Sequence, residues 1–176
     1  MEAGTPGPGD PVRVAVADVW IGLYSGPRQE LRSLFELAED SAAELNSYVE
    51  AGRVLVARSA GEVIGHLHLV DTGRPGELEI KNMAVRESDQ GRGVGARLIR
   101  AALDLAAAES ATTVLVATAA ASTGNLRFYQ RQGFRMRSIE RDAFTAATGY
   151  PPGIVIDGIE LRDRVWLDRA VDPNSR

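Results

Sequence analysis

Gln90-Gly91-Arg92-Gly93-Val94-Gly95 sits between a run with strand character, Glu77–Val85, and a run with helix character, Val94–Ala108. Glycines at alternate positions leave backbone N–H groups bare and free to converge. A helix starting there adds unpaired N–H groups and the positive end of its dipole, so the junction reads as a seat for a phosphate or pyrophosphate. A dinucleotide loop of the Rossmann kind needs a third glycine where Ala96 stands, and a Walker loop needs Gly-Lys-Ser/Thr, which is missing.

Working outward, the strand before the loop has an irregular pattern. Its apolar residues fall on even positions at Leu78 and Ile80, then on odd positions at Met83 and Val85. Side chains alternate with period two, so the change of parity predicts one extra residue, a β-bulge near Lys81-Asn82. Upstream, residues 54–58 and 63–71 read as strands joined by a tight turn at Ala60-Gly61. Residues 28–50 read as two helices interrupted at Asp40-Ser41, and residues 12–16 as a first strand. Downstream, the helix places Val94, Leu98, Ile99, Ala102, Leu105 and Ala106 on one face. Residues 114–117 read as a buried central strand. Residues 125–132 read as a short helix capped by Gly133, and residues 135–142 and 159–167 as two last strands. The economical architecture is a mixed α/β (α+β) sheet with helices on both faces. We take 1–11 as a Gly/Pro-rich leader, 12–170 as one domain and 171–176 as a tail.

Composition narrows the function. No cysteine is present, which removes disulfides, thiolate metal sites and a cysteine nucleophile. Two histidines, His66 and His68, are too few for a histidine-built metal centre, and no metal is expected. A net charge of −4 without a basic block argues against nucleic acid. No apolar run approaches the ~20 residues of a membrane span, and the N-terminus lacks a signal-peptide core. The expected setting is the cytoplasm.

Gln90-Gly91-Arg92-Gly93-Val94-Gly95 resembles the (Arg/Gln)-x-x-Gly-x-(Gly/Ala) signature of the GCN5-related N-acetyltransferases, small bacterial type. Met83-Ala84-Val85 fits the end of that family's fourth strand. Asn125, Phe128-Tyr129 and Gly133-Phe134 fit its following helix–strand element. The resemblance is firm over residues 53–135 and looser to residue 170. Glu87 stands where many members carry proline, which affects only the turn.

The resemblance implies a mostly antiparallel central sheet of six to seven strands with about four helices and a bulge in the fourth strand. It implies acetyl transfer from acetyl-CoA, as cosubstrate, to a primary amine of a small molecule or peptide in a ternary complex. Gly91, Gly93, Val94 and Gly95 should present backbone N–H groups to the pyrophosphate, with Gln90 and Arg92 adding side chains. Met83, Ala84 and Val85 should pair with the peptide-like pantetheine arm. Tyr129 is the candidate general acid and Glu79 the candidate base, with His66 and His68 as alternatives that otherwise form the polar side of a hairpin. Asn125 is divided between capping its helix and bonding the coenzyme arm. Arg127, Arg131 and Arg135 could reach phosphates, and Trp20, Tyr24 and Tyr150 could line an acceptor pocket. Rival expectations are a silent acyl-CoA-binding module and a transferase using a longer acyl-CoA. A homodimer through the last strands is a further expectation.

Overall fold

Ala60 and Gly61 both adopt positive φ, 50° and 84°, the backbone of a tight hairpin turn. The turn joins β2 (Arg53–Ser59) to β3 (Glu62–Asp71), and β3 turns again into β4 (Glu77–Val85). The computed structural model describes residues 19–39 and 41–172. The expected leader at 1–11 and strand at 12–16 lie outside the described residues. The first described strand, β1 (Trp20–Leu23), pairs antiparallel with β2. It was not expected, since four residues including Gly22 give almost no alternation to read.

The bulge lies where the parity change placed it. His68 pairs with Asn82 and Leu69 with Ile80, so Lys81 is the extra residue in β4. Beyond the loop, α3 (Val94–Ala108) buries Val94, Leu98, Ile99, Ala102 and Ala106, as its periodicity predicts. β5 (Thr113–Ala119) runs parallel to β4, and α4 (Thr123–Arg131) ends on Gly133, whose φ is +82°.

The chain closes with β6 (Arg135–Glu140), a small hairpin of β7 (Val155–Ile156) and β8 (Ile159–Glu160), and β9 (Arg164–Ala170). This corrects the last strand expected at residues 159–167. Asp157 and Gly158 take positive φ and fold Ile159 back on Ile156, and the sheet strand begins only at Arg164. The main sheet has the order β1-β2-β3-β4-β5-β9-β6, mostly antiparallel, as expected for the fold class.

Two apolar clusters sit on opposite faces. The larger gathers α3, Tyr129 of α4 and Phe134 against Leu67, Leu69, Ile80, Val114, Val116 and Leu167. The smaller lies under two short helices, α1 (Arg32–Phe35) and α2 (Ala42–Tyr48), and joins Phe35, Leu45 and Tyr48 to Val54 and Val56. The predicted break between those helices is real: the Ser41 hydroxyl caps α2 by accepting the Glu44 N–H at 3.3 Å. Each fully buried side chain of this size contributes about 1.5–3 kcal/mol, so both faces hold their helices by ordinary burial.

Candidate active site

β4 and β5 pair only from Glu77↔Thr113 to Ile80↔Val116. Past that point the bulge turns β4 away while β5 runs on to Ala119, and the sheet splits. The β5-facing edge of Met83, Ala84 and Val85 is therefore unpaired, while their other edge pairs with Leu67, His66 and Gly65 of β3. A cleft of about 1190 Å³ passes through the split and opens on both faces of the sheet. Single-ligand pockets occupy roughly 300–1,000 Å³, so this volume accommodates a coenzyme arm and an acceptor together.

On the α3 side the cleft is lined by Gln90, Gly91, Gly93, Val94, Gly95, Asn125 and Tyr129. Gly91 and Gly93 take φ of 72° and 79° with open space where a Cβ would stand. Among the described residues no hydrogen bond takes the backbone N–H groups of residues 91–96, and Arg97 is the first to bond back, to Gly93. The loop thus presents convergent, unpaired donors at a helix start, which fits a pyrophosphate. Gly95 has a second constraint: a Cβ there would lie 3.2 Å from both Met83 Cε and Phe128 Cζ.

The loop's side chains are engaged in holding it. Gln90 Nε2 donates to the Val85 carbonyl at 3.0 Å, strapping the loop to the strand end. Arg92 does not line the cleft; its guanidinium meets Asp89 at 2.8 Å, and Arg86 meets the same carboxylate at 3.2 Å. Asp89 is only 6% exposed. It escaped the sequence reading, although an acid flanked by arginines three residues to either side was a usable signal. Asn125 is the third residue of α4, which begins two residues earlier than expected, so it is not the helix cap. Its amide donates to Thr118 Oγ1 at 3.3 Å. Arg127 and Arg131 line the cleft and Arg135 does not.

Tyr129 is nine-tenths buried, with its ring edge-on to Phe128 and Phe134 at centroid distances of 5.2 and 5.7 Å. Tyr129 lines the cleft, and its hydroxyl makes no hydrogen bond to any described residue. Burial pushes its pKa up to about 12, so the phenol keeps its proton at any ordinary pH.

On the opposite side stand Glu79 and Lys81 of β4, Glu39 between α1 and α2, and a wall from residues 144–166. The Glu79 side chain is 15% exposed, and Lys81 Nζ lies 3.5 Å from its carboxylate and 5.4 Å from the Tyr48 ring centroid. Tyr150 lines this half and donates to Glu39 at 3.3 Å. Burial, then the Glu39 charge, raises the Tyr150 pKa to about 12. Trp20 and Tyr24 are outside the cleft; Trp20 is 57% exposed on the edge strand, and the Tyr24 hydroxyl donates to Glu30.

The histidines are not the polar side of a hairpin. Both are fully buried, because the β2–β3 hairpin is covered on that face by α1 and α2. His66 packs on Phe35 at 4.3 Å, donates from Nε2 to Asn82 Oδ1 at 2.8 Å, and has its pKa lowered by burial to about 4. His68 donates to the Ala51 carbonyl, and burial lowers its pKa too. Neither lines the cleft. Asn82, also missed, organises this layer: its amide donates to the Phe35 carbonyl at 3.1 Å and the Tyr48 hydroxyl at 2.9 Å. It ties α1 and α2 to the strand immediately after the bulge.

Residues 20–134 match the Acetyltransferase (GNAT) family. The uncharacterized N-acetyltransferase YvbK of Bacillus subtilis (strain 168) is 36% identical over 150 residues, covering 84% of this chain and 95% of that protein. Among solved structures, an IAA acetyltransferase from Bacillus cereus ATCC 14579 superposes with a TM-score of 0.78 at 36% identity, covering 87% of this chain and 99% of that one. A Bacillus subtilis acetyltransferase in complex with CoA gives a TM-score of 0.80 at 34% identity, covering 88% and 100%. The chain belongs to the GNAT acetyltransferase family. It is an acyltransferase that draws its acyl group from acetyl-CoA. Among the described residues no helix is long and apolar enough to cross a membrane, and no group of His, Cys, Asp and Glu is arranged to hold a metal.

Proposed function

We propose that the chain is an N-acetyltransferase in which a primary amine attacks the acetyl thioester directly, with both substrates bound together. The observation that carries this reading is the split between β4 and β5, a single cleft with phosphate-binding geometry at one end and a carboxylate at the other. The N–H groups of residues 91–96 hold the pyrophosphate. The free edge of Met83, Ala84 and Val85 pairs with the amides of the pantetheine arm and aims one N–H at the thioester carbonyl. Asn125 and Gln90 flank that arm.

Glu79 accepts the proton that the ammonium must lose, directly or through one water. The neutral amine nitrogen then forms its bond to the acetyl carbon, the carbon–sulfur bond breaks, and the nitrogen's second proton passes to the departing sulfur, whose growing charge the Tyr129 hydroxyl stabilises as a hydrogen-bond donor. His66 and His68 stand too deep to touch an acceptor. The reading places the enzyme in the cytoplasm with a small-molecule or peptide amine as acceptor. It leaves a homodimer open, supported by β6, an edge strand whose six residues are all exposed.

A panel of primary amines incubated with acetyl-CoA tests the reading. Amine-dependent thiol release with a matching acetylated product by mass spectrometry is expected. Tight CoA binding with only slow, amine-independent hydrolysis would instead mark a silent binding module.

A further inference from the structure

The half of the cleft facing away from α3 has a composition that speaks to the acceptor. Its wall is built by Leu37, Phe144, Tyr150, Ile156, Leu161 and Trp166. Most come from the segment between β6 and β9, which folds over this face of the sheet. That segment is pinned in place: Phe144 and Tyr150 meet edge-on at 5.0 Å, and the Tyr150 hydroxyl reaches Glu39 across the cleft. The Phe144 N–H donates to the Arg162 carbonyl at 2.9 Å, and the Leu161 N–H to the Ile154 carbonyl at 2.8 Å. The wall is therefore a formed surface of aromatic and aliphatic side chains.

Its cations are already matched. Lys81 faces Glu79 and the Tyr48 ring. Arg164 meets Glu140 at 3.1 Å and lies over the Phe144 ring at 5.0 Å, and the Trp166 indole N–H donates to Glu140. Glu39 accepts from Tyr150 and from the Ser41 N–H. Glu44 is exposed in the first turn of α2, where its charge complements the helix dipole. A polyhydroxylated amine would find few free partners here, and each hydroxyl it buried unpaired would cost binding. Among the described residues an acceptor carboxylate would find no unmatched cation on this wall. What the wall offers in area is apolar surface, with the carboxylates of Glu79, Glu39 and Glu44 beside it.

On the amine-acetylation reading above, we propose that the acceptor is a primary amine carried on an aromatic or similarly sized apolar group. The apolar body lies on the Phe144, Tyr150 and Trp166 wall, and its amino group points inward between Glu79 and Tyr129. The exposed apolar side chain of Leu37, 63% exposed, continues the same surface outward.

The test compares 2-phenylethylamine, putrescine, spermidine and an aminoglycoside as acceptors, with CoA affinity measured separately by calorimetry. We expect kcat/KM for 2-phenylethylamine to exceed that of each polar amine by at least about tenfold, the order set by burying a ring of that size. Leu161→Asp should raise the KM for 2-phenylethylamine by about tenfold or more and leave CoA affinity unchanged. Leu37→Asp, at an exposed position that cannot threaten folding, should move KM in the same direction by a smaller factor. Preference for putrescine, spermidine or the aminoglycoside overturns the inference, as does an unchanged KM in both variants. Intact CoA binding with no acetylation of any amine overturns the transferase reading itself, and the inference with it.

Discussion

Tyr129→Phe removes a hydroxyl that makes no hydrogen bond to any described residue, from a ring that lines the cleft. The ring contacts to Phe128 and Phe134 survive the substitution, and no hydrogen bond is lost because the hydroxyl makes none. Stability should therefore stay within about 0.5 kcal/mol of the parent. The catalytic cost follows from acidity. Burial holds the phenol at about 12, whereas an ordinary thiol sits near ~8.5. Handing the proton fully to a thiolate across that gap of about 3.5 units is uphill by about 5 kcal/mol. The hydroxyl is thus better suited to stabilise charge growing on sulfur as a hydrogen-bond donor than to protonate it early. One such donor in a dry site contributes roughly 10²–10³ in rate. We expect kcat and kcat/KM to fall together by that factor, because the bond strengthens only as sulfur leaves. CoA affinity should not change. Stopped-time thiol assays with a verified acceptor, paired with calorimetry, read both quantities. Unchanged turnover would show that the tyrosine only packs. A loss of CoA affinity matching the loss of rate would make it a ground-state contact. A wild-type pH–rate limb near 8–9 that vanishes in the variant would contradict the raised acidity constant.

Gly93→Glu puts a carboxylate among the bare N–H groups of the loop, and we expect at least about a tenfold weaker CoA Kd by calorimetry; equal affinity in a folded variant would take the loop out of the site. Glu79→Gln should lower turnover at neutral pH and recover part of it near pH 10, where a lysine-like amine (pKa near ~10.4) deprotonates unaided. An equal loss at every pH would instead make Glu79 a partner for Lys81 or a binding anion. His66 gives a stability signature. Its folded pKa of about 4 lies below the unfolded ~6.5, so only the unfolded chain takes up a proton between those values. The advantage of the neutral buried ring is complete above pH ~6.5 and is lost as pH falls toward 4, on the order of 3 kcal/mol in all. Urea melts across that window should show a steeper decline for the parent than for His66→Gln, and parallel declines would refute the assignment.

The glycine-loop half of this cleft was legible in its backbone features because they lie in consecutive residues. A glycine loop, a helix start and a parity change each leave a local mark, and all three appear where the sequence puts them. The acceptor half was not legible, because it is assembled from segments that only the fold brings together. Glu39, Phe144 and Trp166 carry no shared periodicity, and they meet only because β9 returns beside β5 and the insertion before it folds over the sheet. His66 and His68 were misplaced for a related reason. Alternating polar residues on a hairpin mean solvent only if nothing covers that face, and the covering helices α1 and α2 come from earlier in the chain. The β7–β8 hairpin was absorbed into a strand because Ile159 and Leu161 continue the apolar pattern across a turn made by Asp157 and Gly158.

The extra residue in β4 is what makes the two halves one site. If Lys81 were paired as an ordinary strand residue, alternation would carry Asn82 to the face of Ile80, into the α3 core, and would send Met83 to the face of Glu79. With Lys81 bulged out of the ladder, Asn82 instead meets Phe35, Tyr48 and His66 under α1 and α2, while Met83 packs toward α3. The same insertion bends β4 off β5 just where Ile80↔Val116 is the last pair. One residue therefore frees the edge of Met83, Ala84 and Val85 and leaves a buried amide to clamp α1 and α2 to the turned strand. A buried asparagine whose three bonds reach three different elements is costly to misplace, since each lost partner leaves a buried polar group unpaired. That cost holds the bulge in register, and the register holds the free strand edge and the Glu79 carboxylate on the two sides of the same split.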